Sequence, residues 1–204
     1  MDQNKKPKQT MQEKLNTLRA GVLGANDGIL TVVGVLVSVA AATTDQFTIF
    51  IAGLSDLLAC AFSMASGEYA SVSTQKDTEK SAVAHEEYLL KHDFESEVVA
   101  VRDHYMEKGV SEATATAIAK DLLNKKPLQT VVRVKYDIEL GHYLNPWNAA
   151  FSSLAAAAAG GLLPLLAMVL APLAWRWEAV ILAVILTSAL TGYISSTLGN
   201  GLVK

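Results

Sequence analysis

The chain has 204 residues, 51% of them hydrophobic, with a mean hydropathy of +0.28 and a formal net charge of −3. That charge balance gives no electrostatic footing for nucleic acid, and the lone cysteine, Cys60, excludes both a disulfide framework and a Cys-rich metal site. The apolar content is too high and too unevenly spread for an ordinary soluble domain, and the charges collect in particular regions.

In chain order, residues 1–19 (MDQNKKPKQTMQEKLNTLR) are polar and basic and lack the apolar stretch of a cleavable signal peptide. They read as a cytoplasmic tail in which Leu15 and Leu18, beside Lys14 and Arg19, make a short amphipathic lead-in. Four apolar segments approach the ~20 residues that a spanning helix needs. They cover 20–42, 47–70, 149–170 and 177–198. The brief connections at 43–46 and 172–177 fold them into two helical hairpins, 20–70 and 146–204. Trp147, Trp175 and Trp177 suit membrane–water interfaces. Small residues crowd the spans, as in AAAAAGG at 155–161, and permit close helix contact in lipid. Pro164 is placed to kink the third span.

Between the hairpins, residues 71–145 hold most of the charges and all four histidines, His85, His92, His104 and His142. The pattern is helical throughout. One helix continues from the second span to about Lys91, a second covers 94–108 and stops at Gly109, and a third covers 111–125 with Ser111 as its N-cap. A last segment covers 128–140 and returns to the membrane through Gly141 and Pro146. The fold class expected is therefore all-α, a polytopic membrane helix bundle with a helical cytoplasmic insert between the second and third spans. Five basic residues precede the first span and ten lie in the insert, whereas Arg176 alone lies in the short opposite loops. The positive-inside rule then puts the N-terminus, insert and C-terminus in the cytoplasm. Short tails and the lack of a targeting segment point to a prokaryotic cell membrane.

The spans carry acids where hydrocarbon is expected. Asp27 lies in Asn26-Asp27-Gly28 of the first span, and Asp56 and Glu68 lie in the second with Met64 between them. A carboxylate in hydrocarbon costs at least ~2.5–3.5 kcal/mol and by default marks an ion or proton pathway. Asp56, Met64 and Glu68 are separated by eight and four residues, which keeps them broadly on one side of a helix. A thioether among carboxylates suits a transition metal such as Fe²⁺ or Mn²⁺ better than sodium. Either acid of the second span is alternatively a proton carrier. Taken singly, Met64 fits a packing role as well as a ligand role, Asp27 a helix–helix hydrogen bond, and Cys60 the place of a small packing residue.

Three stretches, RAGVLGANDGI (19–29), SMASGEYAS (63–71) and QKDTE (75–79), resemble the vacuolar iron transporter family, as do ELG (139–141) and NPWNAA (145–150). The resemblance runs in order from Arg19 to about Leu198. It implies a homodimeric, proton-coupled exporter of Fe²⁺ or Mn²⁺ from the cytosol, with the metal as cargo, no cofactor and no enzymatic activity. Asp27 and Met64 fall on the family's membrane metal positions, and Asp56 on one commonly Glu. The insert matches the family's metal-binding domain in part: Glu86, Glu97 and Glu139 are kept, while Leu89 and Ala100 replace paired glutamates and Lys135 and Tyr136 replace methionines. Those three carboxylates are expected to hold one labile ion. The family pattern has five spans, and the sequence to Lys204 supplies four. Two alternatives stand beside transport. One is a membrane-anchored metal sensor or scaffold. The other is a ferritin-like iron oxidase, for which Glu139-Leu-Gly-His142 supplies one Glu-x-x-His where two are needed.

Overall fold

In a computed structural model, which describes residues 11–199, the chain forms seven α-helices and one short 3₁₀ turn, with no strand among the described residues. The helices are α1 (Met11–Ala42), α2 (Gln46–His92), α3 (Phe94–Glu107), α4 (Glu112–Lys125), α5 (Pro127–Tyr136), α6 (Pro146–Leu170) and α7 (Arg176–Leu198). The all-α expectation is met. Four helical stretches are long and apolar enough to cross a membrane: α1, α2, α6 and Leu173–Leu198. The protein is a multi-pass membrane protein.

Two compact units divide the chain, one made of Met1–Val72 with Asn145–Lys204 and the other of Ser73–Leu144. In the first unit, α1 packs along α6, its neighbour in space though far off in sequence, and α7 lies against both. The α1–α6 contact is made by residues too small to hold the backbones apart. A Cβ on Gly24 would meet the Ser153 carbonyl oxygen at 2.5 Å, one on Gly28 would overlap the Ala157 carbonyl, and one on Gly160 the Ala25 carbonyl. Such contact lets dispersion hold helices together where lipid removes the hydrophobic drive. Ser152 adds a polar tie, its Oγ donating to the Thr17 carbonyl at 2.8 Å. Below this seam the apolar core gathers Val32, Leu36, Ile49, Leu57, Leu165, Met168 and Val180.

α1 begins a good two turns earlier than the apolar segment that marks its span. No glycine or proline interrupts Met11 to Ala20, so the helix of the span extends through the polar lead-in. Residues 1–10 of the expected tail lie outside the described part.

In the second unit, α3, α4 and α5 pack round Val98, Val101, Ala119, Leu123 and Val131. Asp93 caps α3 through its side chain, whereas Ser111 stands at the N-cap of α4 but turns its hydroxyl to Thr114 instead of the backbone. Gly109, at φ +87°, permits the left-handed turn that stops the chain after α3. α5 ends at Tyr136, short of the Leu140 expected from its pattern. Asp137 adopts φ 56° there, a conformation that Asp tolerates better than most residues, and Ile138 N–H returns to the Val132 carbonyl. Glu139 consequently lies in an exposed, non-helical stretch.

Candidate functional site

The acids of the membrane unit sit on two helices that touch. Asp27 is half-buried on α1, and its Oδ2 accepts a hydrogen bond from the Cys60 Sγ of α2 at 3.4 Å. Cys60 is buried, one helical turn from Asp56 on one side and one turn from Met64 on the other. Together with Glu68 these residues recur at every fourth position of α2, so they form a ladder whose rungs are ~6 Å apart. The ladder rotates slowly round the helix and joins two hard carboxylates with two soft sulfur groups.

Each rung has a distinct environment. Asp56 borders a cleft formed with Leu30, Thr31, Gly34, Val35, Ser38 and Val39 of α1, and its Oδ2 is inaccessible and has no hydrogen-bond donor among the described residues. A buried carboxylate oxygen without a donor is costly, and a proton or a cation is what relieves it. Met64 packs against the cluster that Cys60 and Ala61 of α2 form with Ala157 of α6. Glu68 has a side chain only 11% exposed; its Oε2 lies 3.6 Å from the Arg19 guanidinium, an ion-pair distance too long for a hydrogen bond. Asp27, Asp56, Met64 and Glu68 are thus placed by one helix pair.

Two of these relationships go beyond the sequence reading. Cys60, read as packing, is the residue that contacts Asp27 directly; its four-residue spacing from both Asp56 and Met64 is the signal that could have singled it out. Arg19, placed in the tail, is the charge that faces Glu68.

In the second unit, Glu86 of α2 and Glu97 of α3 are each 1% exposed and come together on a single ammonium. Lys135 Nζ lies 2.8 Å from Glu86 Oε2 and 2.8 and 2.7 Å from the two Glu97 oxygens. The Tyr136 hydroxyl donates to Glu86 Oε1 at 2.8 Å. Burial alone would raise the Glu86 carboxyl, but the hydrogen bonds from Lys135 and Tyr136 outweigh it and hold the group below its ordinary range. Burial likewise disfavours the Lys135 ammonium, and the two carboxylates overcome this and push it up. Glu139 joins none of these contacts.

The signs fix a pH window for this unit. Glu86 is depressed, so its contribution is present above the ordinary value of 4.5 and is lost as pH falls through the folded value. Lys135 is raised, so its contribution is present below 10.5 and is lost as pH climbs through the folded value. Hydrogen exchange in peptides from α3 and α5 is expected to stay slow between about pH 5 and 10 after correction for intrinsic rates, and to accelerate below that window. Unchanged protection well below pH 4 would contradict the coupling.

The comparisons with known proteins bear on both units. The description "VIT family" matches residues 18–203, which takes in α1 from Leu18 onward and every later described helix. The chain belongs to the VIT family. A protein named vacuolar iron transporter from Acanthamoeba castellanii is 38% identical over 163 residues, 80% of this chain and 59% of that protein. Vacuolar iron transporter homolog 2.1 of Arabidopsis thaliana is 38% identical over 89 residues, covering 42% of this chain and 41% of its own length. Vacuolar iron transporter homolog 2 of Oryza sativa subsp. japonica is 29% identical over 145 residues, 71% of this chain and 69% of its own. The chain thus spans about three-fifths or less of the first two relatives.

Proposed function

We propose that this VIT family chain carries Fe²⁺ or Mn²⁺ out of the cytosol across the membrane in exchange for protons, acting as a transporter with the metal as cargo. The observation that carries the reading is the Asp27–Cys60 contact, which ties an intramembrane acid of α1 to the α2 ladder of Asp56, Met64 and Glu68. Carboxylates strip part of a hydration shell, and the Met64 thioether favours a transition metal over Mg²⁺ or Ca²⁺. The name of the Acanthamoeba castellanii relative, vacuolar iron transporter, supports iron as one cargo. Positive-inside charge supports an N-terminus and insert in the cytosol.

A homodimer fits the surface of α1. Leu23, Asn26, Leu30 and Val37 are exposed along one side of it, and an amide such as Asn26 facing hydrocarbon is relieved when a second copy or a water-lined path covers it. The metal path is then placed between paired copies and next to Asp27. Glu86, Glu97 and Glu139 enter the proposal less directly: the first two already share Lys135, and the third is exposed beyond α5.

Glu68 is the proposed proton carrier, because it is nearly buried and only loosely paired with Arg19. Proteoliposomes loaded with a pH-sensitive dye and given external Mn²⁺ are expected to change internal pH in step with metal entry. Glu68→Gln is expected to uncouple the two, lowering the proton signal by ~10-fold or more relative to metal moved. Metal entry that ignores a pH gradient in the unaltered protein would remove antiport, and no entry at all would favour an anchored metal-binding protein.

A further inference from the structure

We infer that Lys135 is a built-in cation that occupies a two-carboxylate site in the second unit, and that a divalent metal takes this place only when the lysine is removed. The site is made from three helices: Glu86 on α2, Glu97 on α3, and Lys135 with Tyr136 on α5. An ammonium has three hydrogens to donate, and three carboxylate oxygens lie within 2.8 Å of Nζ. Two of these contacts are hydrogen bonds, to Glu86 Oε2 and Glu97 Oε1, and the third, to Glu97 Oε2, is an ion-pair contact without hydrogen-bond geometry. The remaining Glu86 oxygen takes the Tyr136 hydroxyl, so both Glu86 oxygens are hydrogen-bonded, whereas Glu97 Oε2 has only the charge of the ammonium beside it.

The dimensions favour the lysine. Oxygens at 2.7 to 2.8 Å suit N–H···O bonds, whereas a small divalent ion such as Mg²⁺ draws its oxygens in to ~2.0–2.1 Å. Wholly buried carboxylates stay ionised as a facing pair when a positive charge is held between them; without one, one of the pair takes up a proton. A soluble ion can supply that charge at the expense of being captured. Lys135 supplies it from the same chain, as an intramolecular partner that does not have to be captured from solution. The second unit therefore carries its own cation, on a side chain 24% exposed, against two carboxylates that are almost wholly buried. Replacing the lysine by a neutral side chain leaves two buried carboxylates that need a proton or a cation, with the thioether of a methionine able to join them in holding a metal.

This inference does not depend on the transport reading, because its test counts bound ions in the full chain and any ion held by the membrane unit is common to every variant. The probe is Mn²⁺ added to detergent-solubilised protein, with free Mn²⁺ read by electron paramagnetic resonance and helicity by circular dichroism. Lys135→Met is expected to bind about one more Mn²⁺ per chain than the unaltered protein. The additional ion is expected to be lost in Lys135→Met/Glu97→Gln. Lys135→Arg, which keeps a tethered cation, is expected to stay at the unaltered count. A Lys135→Met chain that gains no Mn²⁺, whether folded or not, overturns the inference, as does a Lys135→Arg chain that gains as much as the methionine variant.

Discussion

Asp27→Ala is expected to reduce Fe²⁺ and Mn²⁺ flux into proteoliposomes by more than ~100-fold, since even outer-shell partners of a metal ligand cost 10–100-fold. The residue is half-buried on α1 and engages α2 through Cys60, so its removal takes away both a carboxylate of the proposed path and its link to the ladder. Asp27→Asn separates the two contributions. The amide oxygen can still accept from the Cys60 thiol, so the helix pair is preserved, but the charge that draws a cation into the membrane is gone. Flux is expected to fall almost as far in Asp27→Asn as in Asp27→Ala. Met64→Leu tests another property, because leucine keeps the packing against Ala61 and Ala157 and loses only the sulfur. There the expected change is in preference, with Fe²⁺ losing ground to the harder Mg²⁺. Retention of full flux by Asp27→Asn would show that the path runs elsewhere.

The membrane half of the fold was legible because its signals are local. Apolar runs, interfacial tryptophans and the short connections each depend on a few neighbouring residues, and the helices lie close to where those signals put them. Asp27, Asp56, Met64 and Glu68 stood out for an equally local reason, as polar or soft groups within hydrocarbon-length segments. Cys60 escaped notice because a cysteine in an apolar helix carries no cost, and only the approach of α1 makes it a partner for Asp27. Lys135 was harder still. Its sequence position marked it as a departure from a family pattern, but its contacts lie 49 and 38 residues away, and nothing near it in the chain reveals that its ammonium reaches two buried glutamates. The end of α5 differed for a backbone reason: Asp137 takes a left-handed conformation that composition permits but does not require.

The close seam between α1 and α6 gives the largest expected effect on stability. Gly28→Ala is expected to destabilise the folded protein by at least ~3 kcal/mol, the upper part of the range for overpacking. A methyl group at Gly28 would overlap the Ala157 carbonyl oxygen and lie only 2.9 Å from its carbon and 3.0 Å from Cα. These are backbone atoms of α6, so no rotamer change makes room and the two helices must separate. Separation would also loosen Gly24 against Ser153 and Gly160 against Ala25, since all three contacts share one seam. Gly192→Ala is the matching control: it sits within α7, and a Cβ there meets nothing within 4 Å. That change is expected to be neutral or to stabilise by ~0.5–1 kcal/mol, the usual gain on replacing a helical glycine. Thermal unfolding of both variants in one detergent, followed by circular dichroism and size-exclusion profile, measures the contrast. Equal stability of the two would mean that α1 and α6 are not in backbone contact at Gly28. It would also remove the rigid seam that keeps Asp27, one residue away, in register with Cys60. The stability and transport predictions are therefore linked through neighbouring positions: a Gly28→Ala chain that folds with α1 displaced should lose flux even with every proposed ligand still present.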